Sequence, residues 1–316
     1  MQDTASFIDY ARIARVDHWI KNLFILPGMI IAILILKIRP STEMCVPLVL
    51  AFLSTSLAAS ANYVINEWLD ARFDKYHPTK KNRPVVVANI KRGYVMAEYA
   101  GLIVASLLLA FSVNTYFAAA IVSLLGMGVV YNVEPLRTKD IPFLDVLSES
   151  VNNMIRLLLG WFVVCSIYLP PSSILFGYWM GGAFLMAVKR FAEYRMIGNP
   201  SVAGSYRKSF RAYTETSLLI SAVCYAMCSL FFVGIFMIKY KIELLLAVPL
   251  LIALFCKYLA IAYKEDSAAQ KPEKLYREKG LMAWCAAFAF VLALSLVIRV
   301  PWLEIFIGID LLPISL

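Results

Sequence analysis

The sequence predicts an all-α integral membrane protein, and composition and hydropathy pattern support this prediction. Of the 316 residues, 61% are apolar or aromatic and only 16% are charged. Soluble domains have about 25% charged residues and under about 50% apolar residues, so a soluble enzyme is disfavoured. The apolar surplus extends along the whole chain. We therefore expect one membrane domain over residues 1–316 rather than two soluble domains.

Nine stretches are apolar enough to cross a bilayer as helices, which takes about 20 residues each. In chain order they are 23–37, 44–66, 94–113, 115–133, 143–165, 172–192, 213–236, 242–263 and 280–300. The first stretch is short, but it can begin near Trp19, a residue type that is common at membrane interfaces. An N-terminal arm over about 1–18 and a short outer tail over about 301–316 complete the prediction.

The basic residues are divided unequally between the two sides of this predicted bundle. The N-terminal arm with Lys21, and the loops after segments 2, 4, 6 and 8 with Lys189 and Arg190 at the end of segment 6, contain 23 of the 30 Lys and Arg residues, and the opposite side contains 5. Cytoplasmic loops carry such an excess. We therefore expect a multi-pass protein of the cell (inner) membrane with a cytoplasmic N-terminus, an external C-terminus and no nucleic-acid partner.

Amide and acidic side chains are concentrated where the second segment ends. Asn66, Asp70 and Asp74 are four residues apart, so they stack on one face if the helix continues. Oxygen ligands in a row suit Mg²⁺, which takes one or two carboxylates together with waters and substrate phosphates. The alternative is a solvated helix end. Because helix C-termini disfavour acidic side chains, we predict these three residues as metal ligands of a catalytic site.

A basic loop follows and supplies the counter-charge. It contains Lys80 and Arg83 within the run His77-Pro78-Thr79-Lys80-Lys81-Asn82-Arg83-Pro84. Two prolines predict an ordered turn rather than more helix. Carboxylates beside such a loop indicate a site for a metal and phosphates, although a cytoplasmic loop would be basic in any case.

The fifth segment carries charged residues within an otherwise apolar helix. Asp145, Glu149 and Arg156 share a broad face with Asn152 and Asn153. Each ionised group near a helix centre costs about 2.5–3.5 kcal/mol on insertion scales. These side chains must therefore lie near the cytoplasmic end or face a wet cavity, where they are usually functional. A structural network of Glu149, Asn153 and Arg156 is the alternative.

Further polar residues are predicted on the same membrane face as Asp70. They are Tyr131 at the end of the fourth segment, Arg137 after that segment, and Lys189, Arg190 and Glu193 at the end of the sixth. The positive-inside rule explains why basic residues lie on this face, but it does not explain the acidic residues among them. The sequence thus predicts one site built from several loops at the cytoplasmic face.

These motifs resemble those of the UbiA superfamily of intramembrane prenyltransferases. The run Asn66 to Asp74 matches the family signature Asn-Asp-x-x-Asp-x-x-x-Asp except at Glu67. Within the superfamily the chain is most similar to the decaprenyl-phosphate phosphoribosyltransferase branch, from about residue 10 to 300. The specific matches are Trp19-Ile20-Lys21-Asn22 after Arg15, His77-Pro78-Thr79-Lys80 with Arg83-Pro84, Lys189-Arg190 with Glu193, and Arg211 with Tyr213-Thr214.

The resemblance implies a nine-helix bundle around a central cavity that opens to the cytoplasm and to lipid. It also implies Mg²⁺-dependent transfer of 5-phosphoribose from phosphoribosyl pyrophosphate to a polyprenyl phosphate lipid, with release of pyrophosphate. The expected substrate-binding residues are Lys21, Lys80, Arg83, Tyr131, Arg137, Asp145, Glu149, Arg156, Lys189, Arg190 and Glu193. Among them, Arg137 and Arg156 are the candidates for the lipid phosphate. A homo-oligomer is compatible with the sequence.

Two alternatives stay open. The first is a UbiA-type prenyltransferase that moves a prenyl group from prenyl pyrophosphate to an aromatic or other acceptor. Its second Asp-rich motif is missing here, where Lys189-Arg190-Phe191-Ala192-Glu193 stands. The second is a lipid-linked sugar transporter or flippase, for which inverted repeats and broken helices are expected. The sequence shows no clear repeat.

Overall fold

A computed structural model describes residues 5–264, 267–270 and 272–305, which form helices and connecting turns without an extended strand. The described α-helices are α1 (Phe7–Ile13), α2 (Leu26–Leu36), α3 (Cys45–Asp74), α4 (Pro84–Val87), α5 (Arg92–Val113), α6 (Thr115–Asn132), α7 (Leu144–Val164), α8 (Ser172–Ile197), α9 (Pro200–Tyr206), α10 (Glu215–Tyr240), α11 (Val248–Ala262), α12 (Lys279–Val297) and α13 (Pro301–Ile305). Helices satisfy their own backbone hydrogen bonds, which a bilayer core requires.

Seven helical stretches in the described part are long and apolar enough to cross a membrane. They are Phe7–Leu36, Thr42–Asp74, Arg92–Val113, Thr115–Asn132, Glu215–Tyr240, Ile242–Ala262 and Lys279–Val297. Helices α7 and α8 coincide with the predicted fifth and sixth segments and contain 21 and 26 residues, but they carry more polar side chains. The all-α membrane fold is therefore confirmed, whereas the count of nine spanning helices stays a prediction.

Local sequence explains where several helices begin and end. Asn114 caps α6 by accepting a hydrogen bond from the Phe117 backbone N–H at 2.8 Å, and Thr214 forms a capping box with Ser217 at the start of α10. Helix α8 ends at Gly198, whose φ of 67° is the left-handed conformation that glycine adopts without strain. Of the predicted outer tail, residues 306–316 lie outside the described part.

Helix α7 lies at the centre of the bundle, where it packs against α2, α6 and α8. Its apolar side buries Leu157, Leu159 and Trp161, each at most 1% exposed. Its polar side buries Asp145, which is 0% exposed. This central position explains how charged residues fit within an apolar segment, because they face other helices rather than lipid.

Two glycines allow α2 and α7 to pack in direct backbone contact. A Cβ atom on Gly28 would lie 1.9 Å from the Leu157 carbonyl oxygen, and one on Gly160 would lie 1.7 Å from the Ile25 carbonyl oxygen. Small residues at such a crossing let helix backbones approach closely in membranes. The crossing holds α7 against the N-terminal part of the chain.

We expect Gly160→Val to destabilise the protein by about 3 kcal/mol, since the added side chain must push the two backbones apart. Thermal unfolding in detergent measures this change. Gly101→Val is the control, because nothing lies within 4 Å of a Cβ built at Gly101 on α5. An equal Tm for the two variants would contradict a close backbone contact between α2 and α7.

Candidate active site

The end of α3 presents the predicted acidic row at one end of the bundle. The helix continues to Asp74, eight residues beyond the predicted segment. Asp70 Oδ1 accepts hydrogen bonds from Lys139 Nζ at 2.5 Å and from Arg137 Nη2 at 2.9 Å. The carboxylate is thus neutralised by two cations from the turn between α6 and α7.

The Lys139 ammonium group lies among three side-chain oxygens. Besides Asp70, it donates to Asn66 Oδ1 at 3.1 Å and to Asn132 Oδ1 at 2.8 Å. Burial lowers the pKa of Lys139 to about 8, against the opposing effect of the Asp70 charge. Neither Lys139 nor Asn132 was predicted from the sequence. Two helices and one turn together form a small oxygen-lined site that holds a positive charge.

Asp74 lies outside the group of oxygens around Lys139 to which Asn66 and Asp70 belong. Its Oδ2 accepts a hydrogen bond from Arg83 Nη1 at 2.5 Å, and Arg83 Nε lies 3.9 Å from Glu67 Oε2. Within the described ranges, no group of three or more His, Cys, Asp or Glu residues could hold a metal ion. The three predicted ligands therefore lie on one helix face but point to two different cations.

The three side-chain oxygens around Lys139 are nevertheless suitable ligands for a hard divalent ion. All three atoms are oxygens, which Mg²⁺ prefers, and Mg²⁺ needs only one or two carboxylates when waters and phosphates complete its shell. Asn66 and Asp70 are the predicted ligands that meet this requirement, with Asn132 as a third oxygen. A metal at this position would have to displace the Lys139 ammonium.

A second charged cluster is centred on Arg190 of α8, which is 2% exposed. Its Nε lies 3.4 Å from Asp145 Oδ2, and its Nη1 lies 3.4 Å from Glu193 Oε2. Its Nη2 donates to Glu149 and, at 3.1 Å, to the Tyr131 hydroxyl. One guanidinium thus joins three carboxylates of α7 and α8, which brings the predicted residues of both helices together.

Both carboxylate oxygens of Asp145 accept hydrogen bonds from residues of the loop before α10. It accepts from Tyr213 Oη at 2.6 Å, Arg207 Nη1 at 3.0 Å and Ser209 Oγ at 3.1 Å. Arg207 also donates to the Tyr131 hydroxyl at 2.9 Å. Arg207 was not predicted from the sequence, although it links the Arg190 cluster to the end of α6.

Glu193 connects the basic loop after α3 to α8. It accepts from Lys80 Nζ at 2.6 Å, His77 Nε2 at 3.2 Å and Tyr206 Oη at 3.2 Å. His77 Nδ1 lies 3.2 Å from the backbone N–H groups of Thr79 and Lys80, so it is the acceptor and Nε2 carries the proton. Burial lowers the pKa of His77 and of Lys80. The predicted ordered turn is present and held by these bonds.

Arg156 makes its described hydrogen bonds outside these two clusters. Arg156 Nε donates to Asn22 Oδ1 at 3.1 Å, and its Nη1 donates to the Asn152 carbonyl at 3.2 Å. Lys21 Nζ lies 3.0 Å from His18 Nδ1. The hydrogen bonds of Arg156 in the described chain go to neutral groups, so the alternative network with Glu149 is not formed. Arg156 has no carboxylate partner among the residues that the structure describes.

Comparison with known proteins identifies the family. The UbiA prenyltransferase family matches residues 24–284. A decaprenyl-phosphate phosphoribosyltransferase from Mycobacterium tuberculosis is 29% identical over 220 residues, which are 68% of this chain and 70% of the relative. The nodulation protein NoeC from Azorhizobium caulinodans is 25% identical over 232 residues, 73% of this chain and 72% of that protein.

A solved structure shows the same fold. A UbiA homolog from Archaeoglobus fulgidus bound to GPP and Mg²⁺ matches this chain with a TM-score of 0.67 and 19% sequence identity. The match covers 90% of this chain and 99% of the homolog's chain. Several of the described helices are apolar enough to cross a membrane, and the relative from Mycobacterium tuberculosis is named a transferase. We conclude that the chain is a multi-pass membrane transferase and that it belongs to the UbiA prenyltransferase family.

Proposed function

We propose that the protein transfers 5-phosphoribose from phosphoribosyl pyrophosphate to a polyprenyl phosphate and releases pyrophosphate. The observation that carries this proposal lies at the end of α8, where Lys189 and Arg190 occupy the place of a second Asp-rich motif. A donor with a 5-phosphate and a 1-pyrophosphate needs more cations than a prenyl pyrophosphate needs. The name of the phosphoribosyltransferase relatives supports the same donor.

The residues at the ends of α3 and α8 have distinct roles in this proposal. Asn66 and Asp70 would hold Mg²⁺, which when bound neutralises charge on the pyrophosphate. Arg83 offers a planar fork to a phosphate, and Lys80 and Lys189 offer point charges. Because each of these cations already faces a carboxylate, the phosphate groups would exchange with Asp74, Glu193 and Glu149.

The reaction needs positioning more than proton transfer. The bond between the anomeric carbon and the pyrophosphate oxygen breaks, and pyrophosphate leaves with the electron pair. A phosphate oxygen of the polyprenyl phosphate forms the new bond to the same carbon. That oxygen is already anionic, so no strong general base is needed. Arg156 is suited to hold the lipid phosphate, because its described hydrogen bonds go only to neutral groups.

The decisive experiment offers the purified protein two donor and acceptor pairs. With Mg²⁺, we expect transfer of labelled phosphoribose from phosphoribosyl pyrophosphate to polyprenyl phosphate, together with release of pyrophosphate. With a prenyl pyrophosphate and 4-hydroxybenzoate we expect no product. Prenylation of the aromatic acid without ribose transfer would reject the proposal in favour of an aromatic prenyltransferase.

The proposed orientation places the N-terminus and the active site on the cytoplasmic side. A single cysteine at position 81 should then resist an impermeant thiol reagent applied to intact cells, whereas one at position 239 should react. Both Lys81 and Lys239 are exposed, so reagent access depends on the side of the membrane. The six native cysteines are first replaced by serine. Labelling at position 81 alone would reverse the orientation.

A further inference from the structure

We propose that a cavity beneath the N-terminal arm binds the ribose and 5-phosphate of the donor, and this inference rests on the proposed phosphoribosyl transfer. The cavity has a volume of about 600 Å³, which is within the range of small-ligand pockets. The polar and charged residues at its wall are Arg12, Arg15, Asp17, Glu67, Thr79, Asn82 and Arg83.

Glu67 is the observation that points to a ligand with hydroxyl groups. The residue is 3% exposed, and its Oε1 has no hydrogen-bond partner among the residues that the structure describes. Its other oxygen, Oε2, lies 3.9 Å from Arg83 Nε, which is too long for a hydrogen bond. A buried carboxylate oxygen requires a hydrogen-bond donor. A ribose hydroxyl group supplies one, whereas the prenyl chain of a prenyl pyrophosphate has no such group.

Three arginines at the wall of the same cavity offer positive charge to bind a phosphate. Arg12 lies in α1, Arg15 follows it, and Arg83 comes from the loop after α3. Arg15 has a φ of 51°, a left-handed conformation that costs a non-glycine residue free energy and occurs often at binding sites. The Asp17 side chain is 73% exposed, so solvent weakens its repulsion of a phosphate.

The cavity adjoins the reaction site through Arg83. That guanidinium contacts Asp74 at 2.5 Å on one side and approaches Glu67 on the other. On a helix, residues 67 and 74 lie about 20° apart around the axis, so both side chains leave α3 in nearly the same direction. A phosphoribose bound at Glu67 would therefore place its pyrophosphate toward Asp74 and Asp70.

The test uses ribose 5-phosphate and inorganic pyrophosphate as separate probes of the purified protein, with binding measured by calorimetry. We expect Glu67→Gln and Arg15→Gln each to weaken ribose 5-phosphate binding about tenfold, the loss of one charge-assisted hydrogen bond. Pyrophosphate binding should change less than about twofold in the same variants. Arg72→Gln is the control, since Arg72 is on the same helix and its side chain is 62% exposed.

The outcomes separate this inference from the proposed function. If the protein transfers phosphoribose but both variants keep wild-type affinity for ribose 5-phosphate, the inference is wrong and the proposed function stands. If the wild type binds pyrophosphate and prenylates an acceptor without binding ribose 5-phosphate, both are wrong. A thermal unfolding curve for each variant excludes a loss of binding that is due to misfolding.

Discussion

Replacing Asp70 with asparagine should lower kcat/KM by about 10³-fold or more while the protein stays folded. Asp70 supplies the single carboxylate among the three oxygens around Lys139. Removing its charge weakens a divalent-metal site directly. It also removes the anion that Lys139 and Arg137 share, which leaves Arg137 paired with Asp140. Steady-state kinetics with varied Mg²⁺ measure the effect, and excess Mg²⁺ should restore part of the activity.

Asp140→Asn is the matched control for this change. Asp140 also contacts Arg137, with its Oδ2 3.1 Å from Nε, and its exposed side-chain fraction of 18% equals that of Asp70. It lies outside the group of oxygens around Lys139, so we expect less than about a tenfold loss, as for a partly solvated ion pair. Binding of Mn²⁺, followed by electron paramagnetic resonance, should weaken in Asp70→Asn only. Equal losses of Mn²⁺ affinity in both variants would remove Asp70 from the metal site.

The sequence was sufficient to predict that the acidic row lies on one helix face. The spacing of four residues depends only on helical geometry, and the helix does continue to Asp74. The sequence could not show that Asp74 turns to Arg83 while Asp70 turns to Lys139. That difference depends on where the two following loops fold back, which local periodicity does not encode.

Lys139 and Arg207 show a second limit of prediction from sequence. Both lie in loops that the positive-inside rule expects to be basic. Arg207 is nearly buried against Asp145, whereas its neighbour Lys208 has a side chain that is 45% exposed. Nothing in the local sequence separates the two. The charges of α7 were more informative, because a charge within an apolar helix requires a partner wherever the helix packs.

Arg190 has two interpretations that mutation can separate. Its sequence position predicts a phosphate ligand, but the structure places it among Asp145, Glu149 and Glu193. Lys189, its neighbour on α8, has a side chain that is 23% exposed, and its Nζ lies 3.7 Å from Glu149 Oε1. The more accessible Lys189 is thus better placed to exchange its carboxylate for a substrate phosphate.

We therefore expect Arg190→Ala to lower the stability of folding by about 3–5 kcal/mol, because three carboxylates, of which those of Asp145 and Glu193 are buried, lose their common cation. Thermal unfolding in detergent should show a lower Tm, and activity should fall because less protein is folded. Lys189→Ala should keep its Tm within about 2 °C, since its ion pair with Glu149, the one that it forms among the described residues, is partly exposed and contributes little to stability. It should instead raise KM for the donor by about tenfold or more, the effect of one lost charge-assisted contact. The opposite result, a stable Arg190→Ala protein with a raised KM and a destabilised Lys189→Ala protein, would assign the phosphate to Arg190 and the structural role to Lys189.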